Sequence, residues 1–221
     1  MLTNYGTNNI IVMTLIAVIL LTFGIKFINF KYIAIPLITV AILLLFFTFW
    51  FFRDPDRNVP QQAIDDKSLI ISPADGRVTE IVVEEEKYYL KSSSQRISIF
   101  LSPLDVHVNR TPASGIVEFY HYNKGEYIIA SHPKASEFNE QSRIGLKTDY
   151  GKILFKQIVG TVARRLVCDL KVGDTLVVGE RFGMMKFGSR MDIALPMDAE
   201  ILVEIGNKVI AGETIIAKLK K

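Results

Sequence analysis

The sequence predicts a mainly β domain, a barrel or sandwich with few short helices, preceded by an N-terminal transmembrane helix or helical hairpin. Two observations lead there. The 49% hydrophobic content is high for a purely soluble chain, and the excess is concentrated at the N-terminus. Beyond Arg53, short β-branched segments recur between Gly, Pro, Asn and Asp, at spacings too short for alternating helices and parallel strands.

Ile10 to Ile25 is an uncharged apolar run, and Ile33 to Phe52 is a second, with Phe46, Phe47, Phe49 and Trp50 gathered at its end. At about 1.5 Å per residue, the second run spans a hydrocarbon core of roughly 30 Å. Its terminal aromatics suit the interface. The first run is shorter: it either spans with Lys26 snorkelling or lies re-entrant. A cleaved signal peptide fits poorly, because "MLTNYGTNN" has no basic n-region. The expected organisation is therefore an anchor over 1–52, a charged, proline-punctuated linker over 53–66 ("FRDPDRNVP"), and a catalytic-sized domain over 67–221. Lys26 and Lys31 against Arg53, Arg57 and Lys67 barely set an orientation; the single cysteine favours the cytoplasmic face for the large domain.

Within the domain, "SLIISPADGRVTEIVVEE", "RISIFLS", "ASGIVEFYHY", "GKILFKQIVGTVA", "DTLVVGE", "DIALP", "AEILVEIG" and "ETIIAKLK" read as strands. "SPADGRVTEI", "TPASGIVEFY" and "LPMDAEILVEI" each place a turn before a strand. One helix is expected around "KASEFNEQSRIGL". A net charge of +3 does not indicate a nucleic-acid binder. Cys168 excludes an internal disulfide and reads as a buried strand residue; three widely spaced histidines give no metal-binding pattern.

Several residues have chemical potential. In Gly188-Ser189 the hydroxyl can attack the preceding carbonyl through a five-membered ring, and glycine leaves that carbonyl uncrowded. The same dipeptide is also an ordinary hairpin turn. His107, two residues after Asp105 in "SPLDVHVNR", would share a strand face with it and can exchange protons near neutral pH. A hydrogen-bonded loop histidine is the competing role. Asp75 in "SPADGRV" has an obvious turn role. His121 reads as a surface strand residue, whereas the segment following His132 offers Lys134, Ser136 and Asn139 to a ligand. Arg164-Arg165 lies between apolar strand residues; an inward arginine needs an anion, either a ligand or a structural carboxylate.

The blocks "FFRDPDR", "ISPADGRV", "FLSPLDVHVNRTPASG", "KASEFNEQ", "VGTVARRLVC" and "GERFGMMKFGSRMDIALP", in this order, resemble the short prokaryotic form of the phosphatidylserine decarboxylases, self-processing pyruvoyl enzymes. The resemblance implies a proenzyme cleaved between Gly188 and Ser189 by serinolysis, giving a β chain (1–188) and an α chain (189–221). Ser189 would become a covalent pyruvoyl cofactor that forms a Schiff base with the substrate amine, converting phosphatidylserine to phosphatidylethanolamine. Catalytic roles fall on Ser189, His107 as proton donor and Asp75; Lys134, Ser136, Asn139, Arg164 and Arg165 are the candidate substrate-binding residues. The implied partners are a membrane phospholipid and the chain's own two fragments, as a heterodimer or a higher oligomer, with no nucleic acid and no metal. Two positions depart from the pattern. Longer forms carry a second histidine where Arg110 stands, so either His107 serves both steps or the cleavage base lies elsewhere. Gln141 stands where an arginine commonly follows the Asn-Glu pair.

A second reading starts from "GNKVIAGETIIAKL", which resembles the closing half of a biotinyl or lipoyl carrier domain, with carrier-like strand–turn elements. "MMKF" then offers Lys186 for modification. A third reading, a non-enzymatic membrane-anchored β module, predicts no processing at Ser189.

Overall fold

The computed structural model describes residues 1–125, 139–160, 166–186 and 189–220. His132, Lys134, Ser136, Arg164, Arg165 and Gly188 lie outside the described residues. The chain divides into two compact units, Met1–Asp56 and Arg57–Lys221.

The first unit is a helical hairpin, α1 (Thr7–Lys26) and α2 (Lys31–Phe51), both long and apolar enough to cross a membrane. The first helix starts three residues ahead of the apolar run, because Thr7, Asn8 and Asn9 are polar but uncharged and continue the helix. Small residues bring the two helices close: Ala17, Gly24, Ala34 and Ala41 are buried, and a Cβ on Gly24 would stand 2.6 Å from Ile38 Cγ1. Apolar side chains such as Leu15, Ile19, Leu43 and Phe46 face outward. The N-terminal residues pair with the end of this unit. The Thr3 N–H donates to the Phe52 carbonyl (3.0 Å), the Asp54 N–H donates to the Met1 carbonyl (2.7 Å), and Leu2 bridges Arg53. Arg53 lies 4.2 Å over the Trp50 ring.

The second unit is mainly β. A short helix, α3 (Gln61–Asp65), falls where a linker was expected. The strands are β1 (Leu69–Ile71), β2 (Gly76–Glu86), β3 (Ser92–Leu101), β4 (Val108–Arg110), β5 (Gly115–Asn123), β6 (Gln141–Thr148), β7 (Gly151–Val159), β8 (Leu166–Cys168), β9 (Thr175–Leu176), β10 (Arg181–Met185), β11 (Ser189–Pro196), β12 (Glu200–Ile201), β13 (Lys208–Val209) and β14 (Ile215–Lys218). Eight of them form one curled sheet in the order β13-β2-β3-β11-β7-β6-β5-β9; β4-β10-β8 and β1-β14-β12 are smaller sheets. The turn-then-strand echoes open β2, β5 and β12. The expected helix is corrected over Gln141–Thr148, which is strand β6. Ile144 and Leu146 alternate into the core there, and pairing to β5 and β7 overrides the weak local preference.

The two faces of the large sheet differ. Ile97, Ile99 and Leu101 of β3, Met191, Ile193 and Leu195 of β11, and Phe155 of β7 point into the hydrophobic core. On the opposite face Asp192 receives Arg190 (3.0 Å), Ser98 Oγ (2.7 Å) and Arg96 (3.7 Å), and Arg96 also meets Glu80 (3.0 Å) and Glu84 (2.9 Å). The tip of the β2–β3 hairpin covers this polar face: Tyr89 stacks on Phe119 of β5 with ring centroids 6.0 Å apart. Strand β11 is thus fixed on both faces and along both edges, and Ser189 is its first residue.

Candidate active site

Antiparallel pairing brings five strand ends to one end of the large sheet. β2 begins at Gly76, β3 ends at Leu101, β11 begins at Ser189, β7 ends at Val159 and β6 begins at Gln141, with Leu101 and Val159 directly opposite Ser189. Side chains of directly paired residues share a face, so Ser189 points with Met191 toward the core. Ser189 is fully buried, and its Oγ has no hydrogen-bond partner among the described residues. A buried hydroxyl without a partner costs about 1–3 kcal/mol, so its retention calls for a chemical reason.

His107 approaches from the small sheet. Its carbonyl accepts the Met185 N–H (3.2 Å) at the end of β10, the strand that leads toward Ser189. The imidazole is fully buried, with Nδ1 2.9 Å from the Asp105 carbonyl oxygen. A carbonyl only accepts, so Nδ1 is the donor here, and in the neutral ring Nε2 then holds the lone pair, the tautomer of a base. The expected shared strand face of Asp105 and His107 is corrected: Ser102 to Asp105 is a turn. Pro103 lacks an N–H, and the Asp105 carboxylate closes the turn on the Ser102 N–H (2.8 Å).

Asp75 sits in the turn before β2. Its carboxylate accepts both bonds from Arg57 Nη2 (2.8 and 3.0 Å) and one from the Ala211 N–H (2.9 Å). Burial pushes this carboxyl above the ordinary carboxylate range, Asp105 adds to the rise, and Ala211 and Arg57 oppose it. Its hydrogen bonds are thus made to Arg57 and Ala211, not to His107 or Ser189. Glycine follows because a Cβ at Gly76, with φ of +153°, would run into the Phe100 carbonyl.

The structure adds a polar cluster that the sequence did not flag. Gln157 of β7 pairs with Met191, so it shares the core face with Ser189. Its Nε2 donates to Asn109 Oδ1 (2.8 Å) and to the Val167 carbonyl (3.2 Å), and its Oε1 accepts from Ser142 Oγ (2.7 Å). Asn109 and Gln157 are fully buried and join the small sheet to the large one. Gly183 makes room for them, because a Cβ there would clash with the Val167 carbonyl and stand 3.0 Å from Gln157 Nε2. Gly183→Ala is therefore expected to lower stability by about 1–3 kcal/mol, read as a lower midpoint in thermal or urea unfolding.

Asn139 is fully buried, with Nδ2 donating to the carbonyl of Val159, the residue opposite Ser189. Arg110 donates to the Gly179 carbonyl (2.9 Å), and Gln141 accepts from Arg143 Nε (3.0 Å). His121 is exposed on β5. Cys168 lies half-buried on β8, where burial raises its thiol to about 11, an inert rather than nucleophilic setting. Lys186 is only 7% exposed, unlike a carrier lysine, which must be displayed for modification.

A family profile described as phosphatidylserine decarboxylase matches residues 44–217. The chain belongs to the phosphatidylserine decarboxylase family. It is similar to the phosphatidylserine decarboxylase proenzyme of Salinibacter ruber, 51% identical over 83% of this chain and 81% of the relative. The proenzymes of Chlorobium luteolum (43% identical, 99% of this chain and 100% of the relative) and Carboxydothermus hydrogenoformans (45%, 82% and 84%) are similar as well. Membership of this decarboxylase family makes the chain an enzyme.

Proposed function

We propose that the chain is a proenzyme that cleaves itself between Gly188 and Ser189 and then decarboxylates phosphatidylserine to phosphatidylethanolamine. The observation that carries this reading is the buried Ser189 Oγ at the head of β11, which has no hydrogen-bond partner among the described residues. Attack by Oγ forms an ester and breaks the Gly188–Ser189 amide. Removal of the Ser189 Cα proton then expels the Gly188 carboxylate and leaves dehydroalanine, which water converts to a pyruvoyl group with loss of ammonia. A small, fully enclosed residue at a strand head fits such a group. The pyruvoyl carbonyl supplies an electrophile for the substrate amine and an electron sink for the decarboxylation.

His107 Nε2 holds the lone pair required of a base, and its protonated form delivers the proton to the decarboxylated carbon. Asp75, paired with Arg57, places a carboxylate at the same sheet end. Lys134, Ser136, Asn139, Arg164 and Arg165 are the candidates for the lipid headgroup. The two apolar helices suit a membrane anchor, which keeps the enzyme on the surface that holds its lipid, with the β unit on the cytoplasmic face. The buried Lys186 disfavours the carrier reading.

The cut need not separate the two chains. β11 lies between β3 and β7, β14 lies between β1 and β12, and Asp192 reaches Arg96 across the break. Lys218 also bonds Asp66 (3.0 Å); the Ser68 hydroxyl and Lys218 hold the Asp66 carboxyl down at about 2. A depressed carboxyl contributes stability above the ordinary aspartate range and loses it only as pH falls through about 2, so this tie persists across the working pH range. The purified protein is expected to elute as one species under native conditions, resolve into two chains in denaturant, and release carbon dioxide from phosphatidylserine vesicles. A single chain inert toward those vesicles would overturn the reading.

A further inference from the structure

The self-cleavage reading leaves one buried donor unexplained. Asn109 is fully buried, and its Nδ2 has no hydrogen-bond partner among the described residues. Its orientation is fixed by a chain of bonds. The Val167 carbonyl only accepts, so the Gln157 atom beside it is the donor Nε2; that donor also points at Asn109, so the Asn109 atom facing it is Oδ1. Ser142 Oγ on Gln157 Oε1 agrees. The Asn109 N–H groups therefore face elsewhere, where the described residues offer Nδ2 no acceptor.

Ser189 is close by construction. Gln157 pairs with Met191 and Val159 pairs with Ser189, so Gln157 and Ser189 are diagonal neighbours on one face, roughly 7–8 Å apart at the backbone. Asn109 reaches across from β4 to Gln157, and His107 lies two residues before it. Two buried polar groups without partners among the described residues, Asn109 Nδ2 and Ser189 Oγ, thus lie on the same interior surface, one a donor and the other an oxygen.

We infer that the Asn109 carboxamide donates a hydrogen bond to the Ser189 oxygen as that oxygen becomes a leaving group, a role that rests on the self-cleavage reading. In that step a base takes the Ser189 Cα proton, the electron pair forms Cα=Cβ, and the Cβ–Oγ bond breaks. The bonding pair goes to Oγ, now one oxygen of the Gly188 carboxylate. An N–H aimed at that oxygen stabilises the charge as it arrives.

The test compares Asn109→Asp with Asn109→Ala. Aspartate keeps the volume and the acceptor for Gln157 but removes the donor; alanine removes both. Loss of one such donor slows a step by about 10²–10³-fold. Both variants are expected to stall as uncut chains carrying the ester. Hydroxylamine then splits them after Gly188, and the small fragment begins with a sequenceable serine. A purely structural role predicts that aspartate rescues processing, and wild-type processing of Asn109→Asp would overturn the inference. Folded but hydroxylamine-resistant variants would also overturn it, since the block then precedes the ester. Wild-type protein that never splits contradicts the self-cleavage reading itself, a separate outcome.

Discussion

Ser189→Ala is expected to give one uncut chain with no decarboxylase activity and an intact fold. The hydroxyl makes no hydrogen bond to the described residues, so its removal sacrifices none of those and relieves a desolvation cost of about 1–3 kcal/mol. Strand β11 keeps its pairing to β3 and β7 and its Arg190–Asp192–Arg96 network, none of which involves the Ser189 side chain. Cooperative thermal unfolding of the uncut variant checks the fold, and a denaturing gel checks the processing. Splitting of Ser189→Ala at the wild-type position would mean that another nucleophile makes the cut.

His107→Ala is expected to impair both self-cleavage and turnover, the latter by about 10²–10⁴-fold, the range for loss of a general acid–base group. Arg110 cannot take over, because a guanidinium stays protonated and its Nη1 is held on the Gly179 carbonyl. His121, exposed on β5, is the other described histidine. Processing is followed on denaturing gels, and turnover is expressed per cleaved chain. Normal processing with slow turnover would confine His107 to the second step and send the search for the cleavage base elsewhere.

The strands were legible because Gly and Pro punctuate them and core residues alternate, as Ile97, Ile99 and Leu101 do. Ser189 and His107 were legible through sequence blocks rather than periodicity. Asn109, Gln157 and Ser142 were not, because a polar residue in a strand ordinarily signals the solvent face, and only the contact between sheets shows them buried. The Arg57–Asp75 pair was hidden for a different reason. Each residue had a sufficient local role, in a linker and in an Asp-Gly turn, and nothing local announces their contact. Polar sequence from Gln141 onward hid strand β6, whose identity depends on its neighbours β5 and β7.

Self-cleavage at Gly188–Ser189 is tested by the intact mass of the purified wild-type protein, followed by Edman degradation of the small chain. Two chains divided after Gly188 are expected, with the small one blocked because a keto acid replaces its terminal amine. A single unsplit chain, or a small chain that yields serine in the first cycle, would contradict it.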